Sequence, residues 1–251
     1  MGPLLLALVL GVGTIHVRAF RYSRAEKERV RAIFAGYISP AILKTIISGS
    51  LKDPLFSGRH ELAFLFADIR GFTAYSAARP PEQVIAYLNR YYTVVTEVLH
   101  RHGGTVDKFS GDGVMVFFGA PQVSANPARD AVQAGMAMLA ALERLNAELA
   151  AEGEAALVIG IGIACGEAVI GNIGSPQRHD YTATGAAVNL AAHIQQFCKQ
   201  VPYAMLVEQG AMDKAALDAG PRGRFNSMVV TLEKHGTVGL ACLRQEALQH
   251  A

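Results

Sequence analysis

Two short apolar runs, 105–109 and 114–118, flank the tripeptide Gly111-Asp112-Gly113. An Asp-Gly turn between apolar runs is a strong hairpin signal, because both residues tolerate the backbone angles that a tight turn requires. That hairpin commits the middle of the chain to a sheet. Upstream, Leu62 to Ala67 is apolar without a break, the pattern of a strand covered on both faces. Between the two, Pro80-Pro81 can open a helix, since proline fits a first turn. Val84, Leu88, Tyr91, Val95 and Val98 then recur at helical spacing up to His102, where Gly103-Gly104 stops the run. Residues 128–151 form an Ala- and Leu-rich helical stretch. Residues 156–164 and 168–173 read as another pair of strands, and residues 188–197 and 208–217 as helices. The order strand, helix, hairpin, helix, strand predicts an α+β sandwich, with helices on one face of a mainly antiparallel sheet.

Hydrophobic residues make up 51% of the 251-residue chain and charged residues 18%, so a packed core is expected. A formal net charge of +2, with basic residues dispersed outside Arg18 to Arg31, excludes a nucleic-acid footprint. Cys165, Cys198 and Cys242 stand apart without metal or redox spacing. They read as buried thiols in a reducing compartment. The N-terminus differs. Pro3 to Val12 is nearly all apolar, and weaker apolar character continues to Phe20. A bilayer span takes about 20 residues, so residues 1–22 read as a transmembrane segment, and could be the last span of a longer membrane protein. A buried or interfacial helix is the alternative. No Lys or Arg precedes the run, which argues against a secretory signal. Arg18, Arg21, Arg24, Lys27, Arg29 and Arg31 follow it, which places the remainder on the cytoplasmic side. Residues 23–59 form a helical linker, broken at Ser39-Pro40 and closed by Pro54 and Gly58. The main domain spans 60–245, and 246–251 is a tail.

Asp68 ends an apolar strand, and Asp112 sits at the hairpin tip. Alone, each has a structural explanation: Asp68 as a cap and Asp112 as a turn former. Together, a strand end and an adjacent hairpin tip can bring two carboxylates onto shared cations. Magnesium favours a few carboxylates completed by phosphate oxygens and water. Gly71, just beyond Asp68, leaves room for a phosphate to approach the backbone.

Phe66-Ala67-Asp68-Ile69-Arg70-Gly71-Phe72-Thr73 and Asp107-Lys108-Phe109-Ser110-Gly111-Asp112-Gly113 resemble the two metal-binding motifs of class III adenylate and guanylate cyclases. A third block resembles that family's nucleotide-binding segment. It comprises Gly166 to Gly174, then Asp180-Tyr181-Thr182, then Gly185 and Val188-Asn189-Leu190-Ala191-Ala192. The resemblance covers about 60–245. Upstream, Phe34 to Pro40 looks like the linker that often precedes this domain in bacterial membrane cyclases. The resemblance implies a ferredoxin-like βαββαβ sandwich, held at the cell inner membrane with its catalytic domain in the cytoplasm. The implied activity converts ATP to cyclic AMP and pyrophosphate with two divalent cations, Mg2+ or Mn2+. Asp68, Asp112 and the Ile69 carbonyl would be metal ligands. Gly71, Phe72 and Thr73 would border the substrate.

Lys108 and Thr182 match the positions that read adenine. Adenine N1 accepts and its exocyclic amine donates, while lysine only donates and a threonine hydroxyl can accept. Guanine-selective relatives carry an acid at the lysine position. Asn189 matches the asparagine that orients the ribose. The family arrangement implies a homodimer whose sites take metals from one subunit and base readers with Asn189 from the other. Two departures stand out. His193 occupies the place of a transition-state arginine, and Ala186 replaces the usual acid after Gly185. Histidine lacks the guanidinium fork and is only partly charged near neutral pH. His193 could act in protonated form, or Arg178 or Lys199 could lend the cation. The alternative is a catalytically weak cyclase-homology module that regulates or senses nucleotide as a dimer. A diguanylate cyclase is disfavoured, because its Gly-Gly-acidic-acidic-Phe signature is missing.

Overall fold

A computed structural model describes residues 58–175 and 177–244. The expected membrane segment 1–22, nearly all of the linker 23–59 and the tail 246–251 lie outside the described residues. Among the described residues, no helix is long and apolar enough to cross a membrane.

The apolar run ahead of Asp68 forms β1 (Gly58–Ile69), which lies inside an eight-stranded sheet. On one side it pairs antiparallel with β3 (Gly113–Phe118), which closes the hairpin with β2 (Thr105–Ser110). On the other side it pairs antiparallel with β4 (Ile159–Ser175), which turns back into β5 (Arg178–Thr184). Beyond β4 comes β6 (Met205–Glu208), the parallel neighbour that makes the sheet mixed. Then come β8 (Gly236–Leu243) and, at the edge, β7 (Asn226–Leu232), both in antiparallel pairings. Among the described residues the α-helices are α1 (Phe72–Ala77), α2 (Pro81–Arg101), α3 (Pro127–Ala151), α4 (Ala186–Phe197), α5 (Gln209–Ala215) and α6 (Ala219–Arg222). The segment β1-α2-β2-β3-α3-β4 has the expected βαββαβ order, and its strands lie in the sequence β2-β3-β1-β4 across the sheet.

The main core lies between the sheet and α2, α3 and α5. Tyr91, Val95 and Leu99 of α2 and Met138, Leu139 and Leu142 of α3 are buried against Leu65, Val116, Ile161 and Ile163. Burying each such aliphatic side chain is worth about 1.5–3 kcal/mol. Burial also pushes the unpaired thiols up, Cys165 and Cys242 to about 11 and Cys198 to about 12.

Two expectations are corrected here. The stretches 156–164 and 168–173 are not separate strands. From Ile159 onward they belong to one strand, β4, because its register with β1 runs unbroken from Gly58 opposite Ile170 to Ile69 opposite Ile159, with Gly166 opposite Leu62. The helices also do not share one face. Successive β4 residues point to opposite sides, and the Gly160 and Gly162 side receives α4. A Cβ on Gly162 would stand 2.3 Å from the Gln195 backbone nitrogen, and one on Gly160 would stand 2.8 Å from Cys198 Cβ. Glycine at these places lets α4 press its backbone onto the sheet.

Candidate active site

Asp68 is the penultimate residue of β1 and lies opposite Gly113 of β3. Asp112 stands at the β2–β3 tip, after Gly111 in a left-handed conformation with φ of 63°. Tyr92 of α2 holds that tip, its hydroxyl donating to the Gly111 carbonyl at 2.6 Å while its ring packs on Phe109. Antiparallel pairing sets the tip beside the end of β1, and the two carboxyl groups hydrogen-bond to each other. Both cannot be ionised in contact without a cation or proton between them. Burial, the hydrogen bond and the Asp68 charge push Asp112 up to about 6. Burial works against ionisation of Asp68 too, but hydrogen bonds from Asp112 and Lys199 outweigh it and hold Asp68 below its usual range.

Lys199 Nζ lies 2.6 Å from Asp68 Oδ2. Arg70 anchors the turn that follows this lysine, donating to the Val201 carbonyl at 3.2 Å and also to the Tyr203 carbonyl. The pair is a hard oxygen donor set that suits Mg2+ or Mn2+. Among the described residues no group of three or more His, Cys, Asp or Glu could enclose a metal. Two carboxylates leave coordination positions for phosphate oxygens and water, as magnesium prefers. Next to the pair, Gly71 takes φ of 71° and caps α1, with open space where a Cβ would stand. Phe72 and Thr73 form the first turn of α1, and the Ile69 side chain is buried in the core.

Lys108 and Thr182 meet around a residue that the motif reading left without a role. The β2–β3 register shifts between Val106 and Lys108, so Asp107 is the extra residue of a β-bulge. Bulges re-aim a side chain; here the Asp107 carboxylate turns inward, its side chain 2% exposed. The Thr182 hydroxyl, on β5, donates to Asp107 Oδ2 at 2.7 Å, and Lys108 Nζ lies 3.4 Å from the same oxygen. Burial pushes the Asp107 carboxyl above its usual range, while Thr182 and Lys108 pull it back.

Asn189 and His193 lie one turn apart on α4, Asn189 exposed and His193 half-buried. His193 Nδ1 is 2.7 Å from Nε2 of His235 in the β7–β8 turn, and the rings meet edge-on. One nitrogen must donate and the other accept. Among the described residues, the site residues thus form three groups with no hydrogen bond between them: the Asp68–Asp112 pair, the Lys108–Thr182 pair, and Asn189 with His193. Lys199 serves the first group through Asp68. Asp107, His235 and Lys199 acquire these partners only through the bulge, the edge hairpin and the turn after α4.

Residues 57–207 match the family model described as the adenylate and guanylate cyclase catalytic domain. The solved guanylyl cyclase Cya2 is similar at 33% identity and a TM-score of 0.67, over 74% of this chain and 92% of that one. The adenylyl cyclase CyaB from P. aeruginosa is similar at 29% identity and a TM-score of 0.65, over 75% of this chain and 96% of that one. An uncharacterized protein of Mycobacterium tuberculosis is 34% identical over 212 residues, which is 84% of this chain and 35% of that protein. The chain spans about a third of the length of the curated relatives it matches.

Proposed function

The chain belongs to the adenylate and guanylate cyclase catalytic-domain family, and on that premise we propose that it is an adenylate cyclase making 3′,5′-cyclic AMP and pyrophosphate as a homodimer. Similarity extends to both a guanylyl and an adenylyl cyclase, so the base choice rests on this chain's own residues. The observation that carries it is the meeting of Lys108 and Thr182 on one buried carboxylate. An ammonium that only donates beside a hydroxyl oxygen matches adenine N1 and its amine.

Asp68 and Asp112, with the Ile69 carbonyl, would hold two divalent cations, Mg2+ or Mn2+; when bound, these acidify the ribose 3′-hydroxyl and offset the triphosphate charge. The 3′-oxygen attacks the α-phosphorus, the bond to the β-phosphate oxygen breaks, and the hydroxyl proton leaves to solvent. Gly71, Phe72 and Thr73 border the phosphates, and Asn189 orients the ribose. Holding nucleophile and phosphorus in line within one molecule removes most of the entropic cost of their meeting. Metal carboxylates from one subunit and base readers with Asn189 from the other would give two equivalent sites in a two-fold pair. Residues 1–22 would anchor the dimer in the inner membrane with the catalytic domain in the cytoplasm, supported by the apolar run and the basic residues after it.

A second reading has its own observation. His193 stands where the family has an arginine, and its Nδ1 is engaged by His235, which favours a slow or regulatory dimer. The test is the purified chain incubated with ATP and Mn2+ or Mg2+. Cyclic AMP that disappears in Asp68→Ala and in Asp112→Ala supports the cyclase; no product from the wild type under either metal supports the regulatory module.

A further inference from the structure

We propose that Asp107 is a specificity-determining positioning residue: by accepting the Thr182 hydroxyl proton, it leaves Thr182 only lone pairs to offer a purine base. The inference rests on the adenylate cyclase reading above. A threonine hydroxyl carries one proton and two acceptor sites, and a free rotor can present either character. Free to turn, Thr182 could accept from the adenine amine or donate to guanine O6. It is not free to turn. Its proton points along a 2.7 Å bond into an ionic acceptor whose side chain is 2% exposed, so water does not replace the partner. Lys108, 3.4 Å from the same oxygen, favours the charged form of that acceptor against the burial that opposes it. The oxygen that remains accepts from an amine and opposes a carbonyl. Guanine then meets acceptor against acceptor at position 6, with one buried polar group left unpaired. Discrimination of this kind comes from the mismatch more than from the match.

The β-bulge makes the arrangement possible. Lys108 pairs with Met115 and Val106 with Val116, so Asp107 has no partner in the ladder. Its side chain can therefore leave the strand's alternation and reach β5 while Lys108 stays half-exposed beside it.

The test compares equilibrium affinities of ATP and GTP for the full chain with Mn2+, by displacement of a fluorescent ATP analogue, so the readout does not depend on turnover. Wild type should prefer ATP. Asp107→Ala frees the hydroxyl, and the ATP-over-GTP preference should fall about tenfold, the scale of one buried mismatch. Asp107→Asn keeps an oxygen that can accept the same proton and should retain most of the preference. In a Thr182→Val background, Asp107→Ala should leave the preference unchanged, since residues that act through each other are non-additive. Asp107→Ser, too short to reach Thr182, replaces the alanine variant if thermal unfolding shows that one to be misfolded. A wild type that prefers GTP overturns the adenylate reading. A wild type that prefers ATP, with the same preference in Asp107→Ala and Asp107→Ser, overturns the role of Asp107 alone. Equal losses from Asp107→Ala with and without Thr182 would also overturn it, by showing that Asp107 acts through bulk structure.

Discussion

On the proposed metal role of Asp68, Lys199 would compete with a divalent cation for the same oxygen, and this sets the effect of removing the lysine. At 2.6 Å, two unit charges at an effective dielectric constant of about 20 would attract by about 6 kcal/mol. That figure is an upper limit. The Lys199 side chain is 54% exposed and that of Asp68 17%, so solvent screens the pair towards the range of surface ion pairs, about 0.5–1 kcal/mol. A cation held by Asp68 would have to displace or repel this ammonium. Lys199→Met should therefore tighten Mn2+ binding about two- to fivefold, the factor that corresponds to 0.5–1 kcal/mol. The measurement is calorimetric Mn2+ titration of wild type and Lys199→Met at pH 7.5 and fixed ionic strength, with melting curves to confirm folding. Raising the salt should shrink the difference, because screening already weakens the lysine's hold. Unchanged or weaker Mn2+ binding in Lys199→Met would refute the competition and return Lys199 to a structural or phosphate-facing role.

The same site predicts pH dependence. Asp112 is pushed up to about 6, so it holds a proton below that pH which a metal must expel. Mn2+ affinity should be about fourfold weaker at pH 5.5 than at pH 7.5, by calorimetry; a flat profile would contradict the shared-proton pair. Asp68→Ala mixed with Asn189→Ala should regain cyclic AMP formation through heterodimers with one complete site, whereas mixtures as dead as the parents would rule out shared sites. His193→Arg should raise kcat several-fold with little change in KM, since a fixed cation there acts mainly in the transition state; no gain between pH 6 and 8.5 would show that another group fills that role. Gly162→Ala should lower the melting temperature, at a cost of about 1–3 kcal/mol, because its Cβ would meet the Gln195 backbone at 2.3 Å; an unchanged melting temperature would mean that α4 shifts freely.

Local signals read well where they depend on neighbours in sequence. The Asp-Gly hairpin, the α2 stripe from Val84 to Val98 and the proline opening of α2 all stand where periodicity and turn chemistry place them. The meeting of Asp68 and Asp112 was also legible, since a strand end and a hairpin tip are adjacent once the strands pair. The rest depends on pairing that no short window encodes. Gly166 reads as a break in isolation, yet β1 holds it in one long strand. The glycines that admit α4 to the other face carry no signal of their own. Asp107 looks like an ordinary mid-strand aspartate until the bulge turns it inward, and His193 meets His235 only because the edge hairpin folds back on α4.

The most direct measurement is internal competition. The full chain receives equimolar ATP and GTP with Mn2+, and cyclic AMP and cyclic GMP are quantified from the same tube. The ratio reports relative kcat/KM for the two bases and is insensitive to enzyme concentration or a slow absolute rate. Lys108 and Thr182 on one carboxylate predict cyclic AMP in excess by at least about tenfold, the scale of one mismatched buried hydrogen bond. Cyclic GMP in equal or greater amount would contradict it.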